Sequence, residues 1–306
     1  MRIISLIALS LWCSIYAEAQ LNIRPQNNGV KEYTVQNAMP YDSLANVDSR
    51  TFASLPGQTL YMHGAMDDRG GYHEVFFTGN FFDDEQHPVY KVDGIKVTPA
   101  TAVVGKYYDV LKVWTKMTRC CILLREKESG DEIYYNPNVY RYCMTCLGFY
   151  EKLKRHIGQK FLSLSKKVET ESGDTMRPAE GAEFRCVDIG LKMNSMGAFL
   201  IMESTDGIRV EANPMDDEVY EFVSENRISM LEKQYGTDFG RQIAFRKVSP
   251  GMTKEMVITA WGEPYRKSEF QTNDKLTESW SFSDNRYVEI QDGKVTNVRI
   301  YKKGWY

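Results

Sequence analysis

The chain has little of what local catalytic signatures are made from. It holds only four histidines, His63, His73, His87 and His156. It has no His-Glu-x-x-His pair, no Gly-x-Ser-x-Gly elbow and no glycine-rich phosphate loop, so none of the chemistries those motifs carry is announced locally. Beyond the N-terminus there is no second long apolar run to span a membrane. Charge of either sign is not in excess: 38 Lys and Arg stand against 41 Asp and Glu, a net charge of -3, which offers no electrostatic footprint for nucleic acid. Acidic residues are plentiful, but a glycosidase-like carboxylate pair is a matter of geometry rather than local pattern. No cofactor is implied.

What is present begins with the compartment. Arg2, the apolar run Ile3 to Trp12 and Ala17-Glu18-Ala19 before Gln20 have the charged, apolar and small-residue regions of a secretory signal peptide. Cys13 invites a lipoprotein reading, but the bulky Trp12 stands where a lipid-attachment site takes a small residue. Residues 1–19 are therefore expected to be removed after Ala19, leaving a chain exported to the periplasm or beyond with no transmembrane segment. That removal deletes Arg2 and Glu18, one charge of each sign, and keeps the net charge.

Five cysteines remain: Cys120, Cys121, Cys143, Cys146 and Cys186. An odd number in an oxidising compartment leaves at least one unpaired within the chain. Cys143-Met-Thr-Cys146 has the spacing of a redox pair, yet no βαβ pattern flanks it, so it reads as a candidate structural disulfide or as inert thiols. Adjacent Cys120 and Cys121 lack the second spaced pair that a zinc site needs. The acidic run Asp83-Asp84-Glu85-Gln86 with His87 lacks the alternating ligands and turn glycine of a calcium loop and reads as a solvated loop.

An internal repeat organises the middle. Ile122 to Pro137 aligns without gaps on Phe199 to Pro214, placing Leu124 on Ile201, Glu126 on Glu203, Gly130 on Gly207, Ile133 on Val210 and Asn136-Pro137 on Asn213-Pro214. Each copy reads strand, glycine turn, strand, stop. Three glycine markers, Gly57, Gly105 and Gly158, are spaced by 48 and 53 residues and propose three starts. The expectation is mainly β: a leader at 20–46, then tandem modules at 47–100, 101–146 and 147–216 closing as small SH3-like barrels or sandwiches, the third opening on a helical connector over Leu147 to Arg155. Glu169 to Glu180 reads as a loop.

Residues 217–306 carry the clearest local signature. In Gly251-Met-Thr-Lys-Glu-Met-Val-Ile-Thr-Ala-Trp-Gly-Glu-Pro264, Thr253 caps a helix, Glu255 suits its positive end, Met252 staples to Val257, Gly262 ends it and Pro264 blocks continuation. Val257, Ala260 and Trp261 form a core stripe. Trp280 and Phe282, then Val288 and Ile290, alternate with polar residues, and Asp292-Gly293 makes a two-residue hairpin turn. On Gly251, Thr253, Trp261, Gly262 and Pro264, with the strand pattern after them, the segment from about Glu225 to Tyr306 resembles the small-lipoprotein-A (BamE-like) family. That resemblance implies two helices on a three-stranded antiparallel sheet, the first helix supplied by Val219 to Gly236 or Thr237 to Arg246. The family includes outer-membrane assembly lipoproteins, and its fold recurs in secreted inhibitors of β-lactamase. None of their interaction residues carries over, and the lipidated N-terminal cysteine of the assembly members has no match here.

The functional expectation is an exported, non-enzymatic interaction, scaffold or inhibitor-like protein of the bacterial cell envelope with a protein partner. The alternative is an envelope hydrolase or thiol-disulfide enzyme acting through residues that form no local motif.

Overall fold

The computed structural model describes residues 29–64, 72–73, 76–77, 98–117, 119–137, 144–191, 197–215, 218–272 and 275–301. The expected signal peptide and cleavage site after Ala19, the acidic run at 83–87 and Cys143 lie outside the described residues. The described chain is mainly β, its strands pairing antiparallel in several sheets. Among the described residues no helix is long and apolar enough to cross a membrane.

The first sheet runs Phe76–Phe77, Glu132–Tyr135, Arg119–Glu126, Tyr107–Lys116, Thr59–Met62, Met144–Cys146. The segments expected as first and second modules therefore share one sheet. In the long strand Tyr107–Lys116, Tyr108, Val110 and Val113 are buried, a spacing of two and then three. The extra residue is a β-bulge between Val110 and Lys112, and a bulge bends its strand. The near half pairs with Thr59 to Tyr61 and the far half with Lys31–Thr34. Part of the expected leader is thus a strand.

The second sheet repeats the plan. Val168–Thr170, Arg209–Ala212, Ala198–Ser204, Glu183–Leu191, Lys160–Ser163 and Phe222–Ser224 follow one another in the same order, with Thr175–Met176 added at the edge. Its long strand buries Phe184, Cys186 and Ile189, again two and then three, around a bulge between Cys186 and Asp188. Backbone hydrogen bonds match as well. Gly57 N–H reaches Val110 O at 2.9 Å as Gly158 N–H reaches Cys186 O at 2.8 Å; Gly105 N–H reaches Met62 O as Gly181 N–H reaches Ser163 O, both at 2.8 Å.

These bonds correct the repeat read from sequence. Gly57 corresponds to Gly158 and Gly105 to Gly181, so the three glycine markers resolve into two equivalent units rather than three starts. In the hairpin, Glu126 N–H closes on Asp131 O, whereas Ser204 N–H closes on Ile208 O, so the first turn is one residue longer. Ile133 still matches Val210, but Leu124, opposite Ile133, matches Met202, opposite Val210, and not Ile201. A one-residue slip exchanges the faces of a strand, and an ungapped alignment makes that slip. Glu169 to Glu180 is likewise not all loop, because Val168–Thr170 and Thr175–Met176 pair across Ser172-Gly173. One apolar cluster runs from Val47 and Leu55 through both sheets to Val219 and Phe222.

The last strand of the second sheet passes directly into helix Glu225–Tyr235, whose N-cap Ser224 accepts from Arg227 N–H. Helix Thr237–Ala244 packs so closely on it that a Cβ at Gly240 would lie 2.4 Å from Glu232 Cα and Leu231 O. Helix Lys254–Trp261 and a four-stranded meander, Arg266–Thr272, Lys275–Phe282, Arg286–Gln291 and Lys294–Ile300, complete the chain. Three helices and four strands replace the expected two and three. The added strand escapes a periodicity search because Arg266 to Gln271 are all exposed and show no apolar alternation. Trp280, Phe282, Val288, Ile290 and Val295 pack under the helices, joined by Leu162 and Val223 from the second sheet. Full burial of such side chains contributes about 1.5–3 kcal/mol each.

Candidate interaction surface

The C-terminal sheet has one covered face and one bare face. With period-two alternation, Trp280, Val288 and Ile290 point to the helices, and Ser279, Tyr287, Glu289, Asn297 and Arg299 point away. Register fixes the outward set, pairing Ser279 with Glu289, Tyr287 with Arg299 and Glu289 with Asn297. These residues and Tyr301 line an open depression of about 320 Å³. The Tyr287 and Tyr301 rings meet edge to face at 5.6 Å. Beside them, the Tyr287 phenol is held above its ordinary pKa, first by the charge of Tyr265, then by desolvation, a hydrogen bond with Tyr265 and the charge of Tyr301. Glu289 accepts from Asn297 Nδ2 at 3.2 Å and pairs with Arg299 at 3.1 Å. Tyr265 is 70% exposed and Tyr301 55%, so ring area with polar tips is displayed around a small ion-paired floor. Exposed aromatic groups of this kind are what protein interfaces use as anchors.

Two other concavities differ in character. A cavity of about 70 Å³ between the second sheet and the helices is lined by His156, Phe161, Glu218, Arg227 and Arg246 among others, room for a few waters. Its charges are internally matched: Glu218 pairs with Arg227 at 3.1 Å and Arg246 at 3.7 Å. An open groove of about 1090 Å³ lies between Glu180-Gly181 and the first two helices, lined by Tyr235, Phe239 and Phe245. The Lys247–Glu180 ion pair involves two of its lining residues.

The thiols sit elsewhere. Cys120, Cys121, Cys146 and Cys186 are all buried thiols. Burial pushes Cys186 up to about 12 and raises Cys120, with neighbouring Cys121 adding to it. Cys146 is also raised by burial, although Tyr41 and the N–H groups of Gly148 and Phe149 act against the shift. Reactive thiols need the opposite, a depressed pKa and access. Asn46 clamps this region: its Oδ1 accepts from Cys146 N–H at 2.8 Å and its Nδ2 donates to Met144 O at 3.4 Å. A Cβ at Gly197 would stand 2.6 Å from Asn46 Nδ2, 2.7 Å from Thr145 Oγ1 and 3.4 Å from His63 Nε2. The polar groups here tie chain segments together. His156 is buried with its ring against Phe161; His87 lies outside the described residues, and only the backbone of His73 is placed.

The Gly251–Pro264 signature lies at the seam between helix and sheet, away from the bare face. Thr253 Oγ1 accepts from Met256 N–H at 3.3 Å. Gly262, at φ +81°, donates to Ile258 O at 2.7 Å. Trp261 Nε1 donates to Arg246 O at 2.8 Å, and its ring meets Phe282 edge to face. Gly251 N–H bonds Val295 O at 2.8 Å. The sequence pattern therefore marks the packing seam. The bare face carries only a weak signal, tyrosines at 287 and 301 in the outward phase of strands whose inward phase is apolar. No protein-family model, curated protein or solved structure matches the chain.

Proposed function

We propose that this is an exported, non-enzymatic interaction or scaffold protein of the bacterial cell envelope. In this reading the two repeated sheets are SH3-like modules, the C-terminal part is a BamE-like α+β domain, and the surfaces they display engage a protein partner, whose inhibition is one outcome. The observation that carries it is the bare face of the C-terminal sheet, where Tyr287 and Tyr301 line an open depression and Tyr265 stands beside Tyr287. Adjoining rings that are exposed or half-buried and rimmed by polar groups mark interaction surfaces. The compartment rests on the N-terminal pattern: the mature chain begins at Gln20 and carries no acyl group.

The test is affinity capture of tagged mature chain from its own envelope fraction, with a Tyr287→Glu/Tyr301→Glu variant of unchanged melting temperature in parallel. A partner recovered by the wild type and lost by the variant is the expected result. Equal recovery sinks the assignment of this face, and thiol-dependent insulin reduction by the wild type replaces the reading with a redox enzyme. Mass spectrometry of the native protein checks the compartment, since a diacylglyceryl group on Cys13 would make it an anchored lipoprotein.

A further inference from the structure

The two edges of the C-terminal sheet are treated differently. Lys294–Ile300 is closed at its start, where Gly251 N–H bonds Val295 O, Val295 N–H bonds Met252 O and Thr253 bridges Lys294. Arg266–Thr272 pairs with Lys275–Phe282 on one side and with nothing on the other among the described residues. Arg266 to Gln271 are exposed on both faces, and the seven-residue register contains no bulge or proline. Such an edge is a template for another strand.

We infer that the strand Arg266–Thr272 pairs antiparallel with the same strand of a second copy, about a two-fold axis at Ser268, forming a continuous eight-stranded sheet. The choice of a second copy comes from charge. Glu269 stands directly opposite Glu278 within its own sheet, an unfavourable like-charge pair. Glu278 already has its cation, Lys254, and a hydrogen bond from Trp280 Nε1 at 3.1 Å; no ion pair is formed by Glu269 among the described residues. Centring the axis on Ser268 sets Lys267 opposite Glu269 of the second copy, and Glu269 opposite its Lys267. The same register sets Arg266 against Phe270 of the second copy at both ends, a cation over an exposed ring. Moving the axis by one residue sets Lys267 against Lys267 or Glu269 against Glu269. Centring it on Phe270 leaves Glu269 opposite Gln271. Only the Ser268 register answers both charges, and an isologous pair needs this self-complementarity. The outward face stays continuous across the junction, so the dimer does not depend on the partner proposed above.

Sedimentation equilibrium of the mature chain tests it. A single strand pairing is a small interface, so a reversible dimer appearing as concentration rises toward about 1 mM is expected. Lys267→Glu and Glu269→Lys should each weaken it by about tenfold or more, each replacing two opposite-charge pairs with like-charge ones. Lys267→Glu/Glu269→Lys together should restore the dimer, and an equimolar mixture of the two single variants should form a heterodimer that neither forms alone. Lys267 also contacts Trp280 at 4.5 Å and Glu263 at 3.4 Å, so melting curves check that each variant is folded. A wild type that stays monomeric throughout, or a dimer indifferent to these swaps, overturns the inference.

Discussion

The two repeated sheets share strand order, bulge position and backbone hydrogen bonds, yet almost every equivalent side chain differs. Tyr108, Val110, Leu124 and Tyr135 of the first stand where Phe184, Cys186, Met202 and Ala212 stand in the second. The backbone plan is held by turn glycines and by the register of buried positions, while side-chain volume differs: Ala212 stands where Tyr135 does. Apolar content and periodicity, not particular side chains, secure such a core.

If the units are equivalent in energy as well as order, matched truncations should cost alike. Leu124→Ala and Met202→Ala both empty a fully buried site, and each should destabilise the chain by about 2–5 kcal/mol. Urea unfolding of both variants checks this. A large cost at one site and a negligible cost at the other would break the equivalence and show that one sheet merely templates the other.

Smaller effects belong to the C-terminal domain, where a pattern confined to one helix replaces the distributed one. Gly262→Val forces a β-branched residue to φ +81° and should cost about 1–2 kcal/mol. Lys254→Ala removes a partly exposed ion pair to Glu278 and should cost under about 1 kcal/mol. Because that lysine is ion-paired, its loss is a comparison rather than a blank. Equal losses in thermal melts would mean that Gly262 is not what ends the helix.

The contrast also separates what was legible from what was not. Helix Lys254–Trp261 was readable to its ends because cap, staple and stop residues lie within one short segment. The repeated sheets were half readable. Tyr-x-Val-x-x-Val at 108–113 and Phe-x-Cys-x-x-Ile at 184–189 are the same bulged strand, but strict alternation fails at the bulge, and the hairpin turns differ by one residue. The strand Lys31–Thr34 was hidden because its partner is some 80 residues away. Strand Arg266–Thr272 was hidden because Arg266 to Gln271 are exposed on both faces. The aromatic face was least legible of all, since a surface is set by which phase of four strands points outward, and exposed tyrosines look in sequence like any others.

A finer contrast between the two units lies in two buried carboxylates at non-equivalent positions, which respond to pH with opposite sign. Glu126 and Glu221 are both buried, 3% and 4% exposed, at opposite ends of their units. For Glu126, burial alone would raise the pKa, but N–H groups of Glu128 and Ser129, at 3.0 and 2.7 Å, and the Lys106 cation overcome it and leave the carboxyl below its ordinary value. For Glu221, burial wins and raises the pKa, although Asn213 donates from N and Nδ2 at 2.8 and 2.6 Å. Glu126 therefore contributes stability that is present above the unfolded-state pKa and is lost as pH falls through its lower folded value. Glu221 contributes stability that is full below the unfolded-state pKa and is lost as pH rises through its higher folded value. Glu126→Gln should accordingly lag the wild type most near neutrality and close the gap below about pH 4. Glu221→Gln should move the other way, gaining on the wild type as pH rises from about 4 toward neutrality. Each substitution also perturbs hydrogen bonds by an amount that does not vary with pH, so the readout is the slope of unfolding free energy against pH and not its offset. Parallel slopes in the two variants would show that these two carboxylates titrate alike.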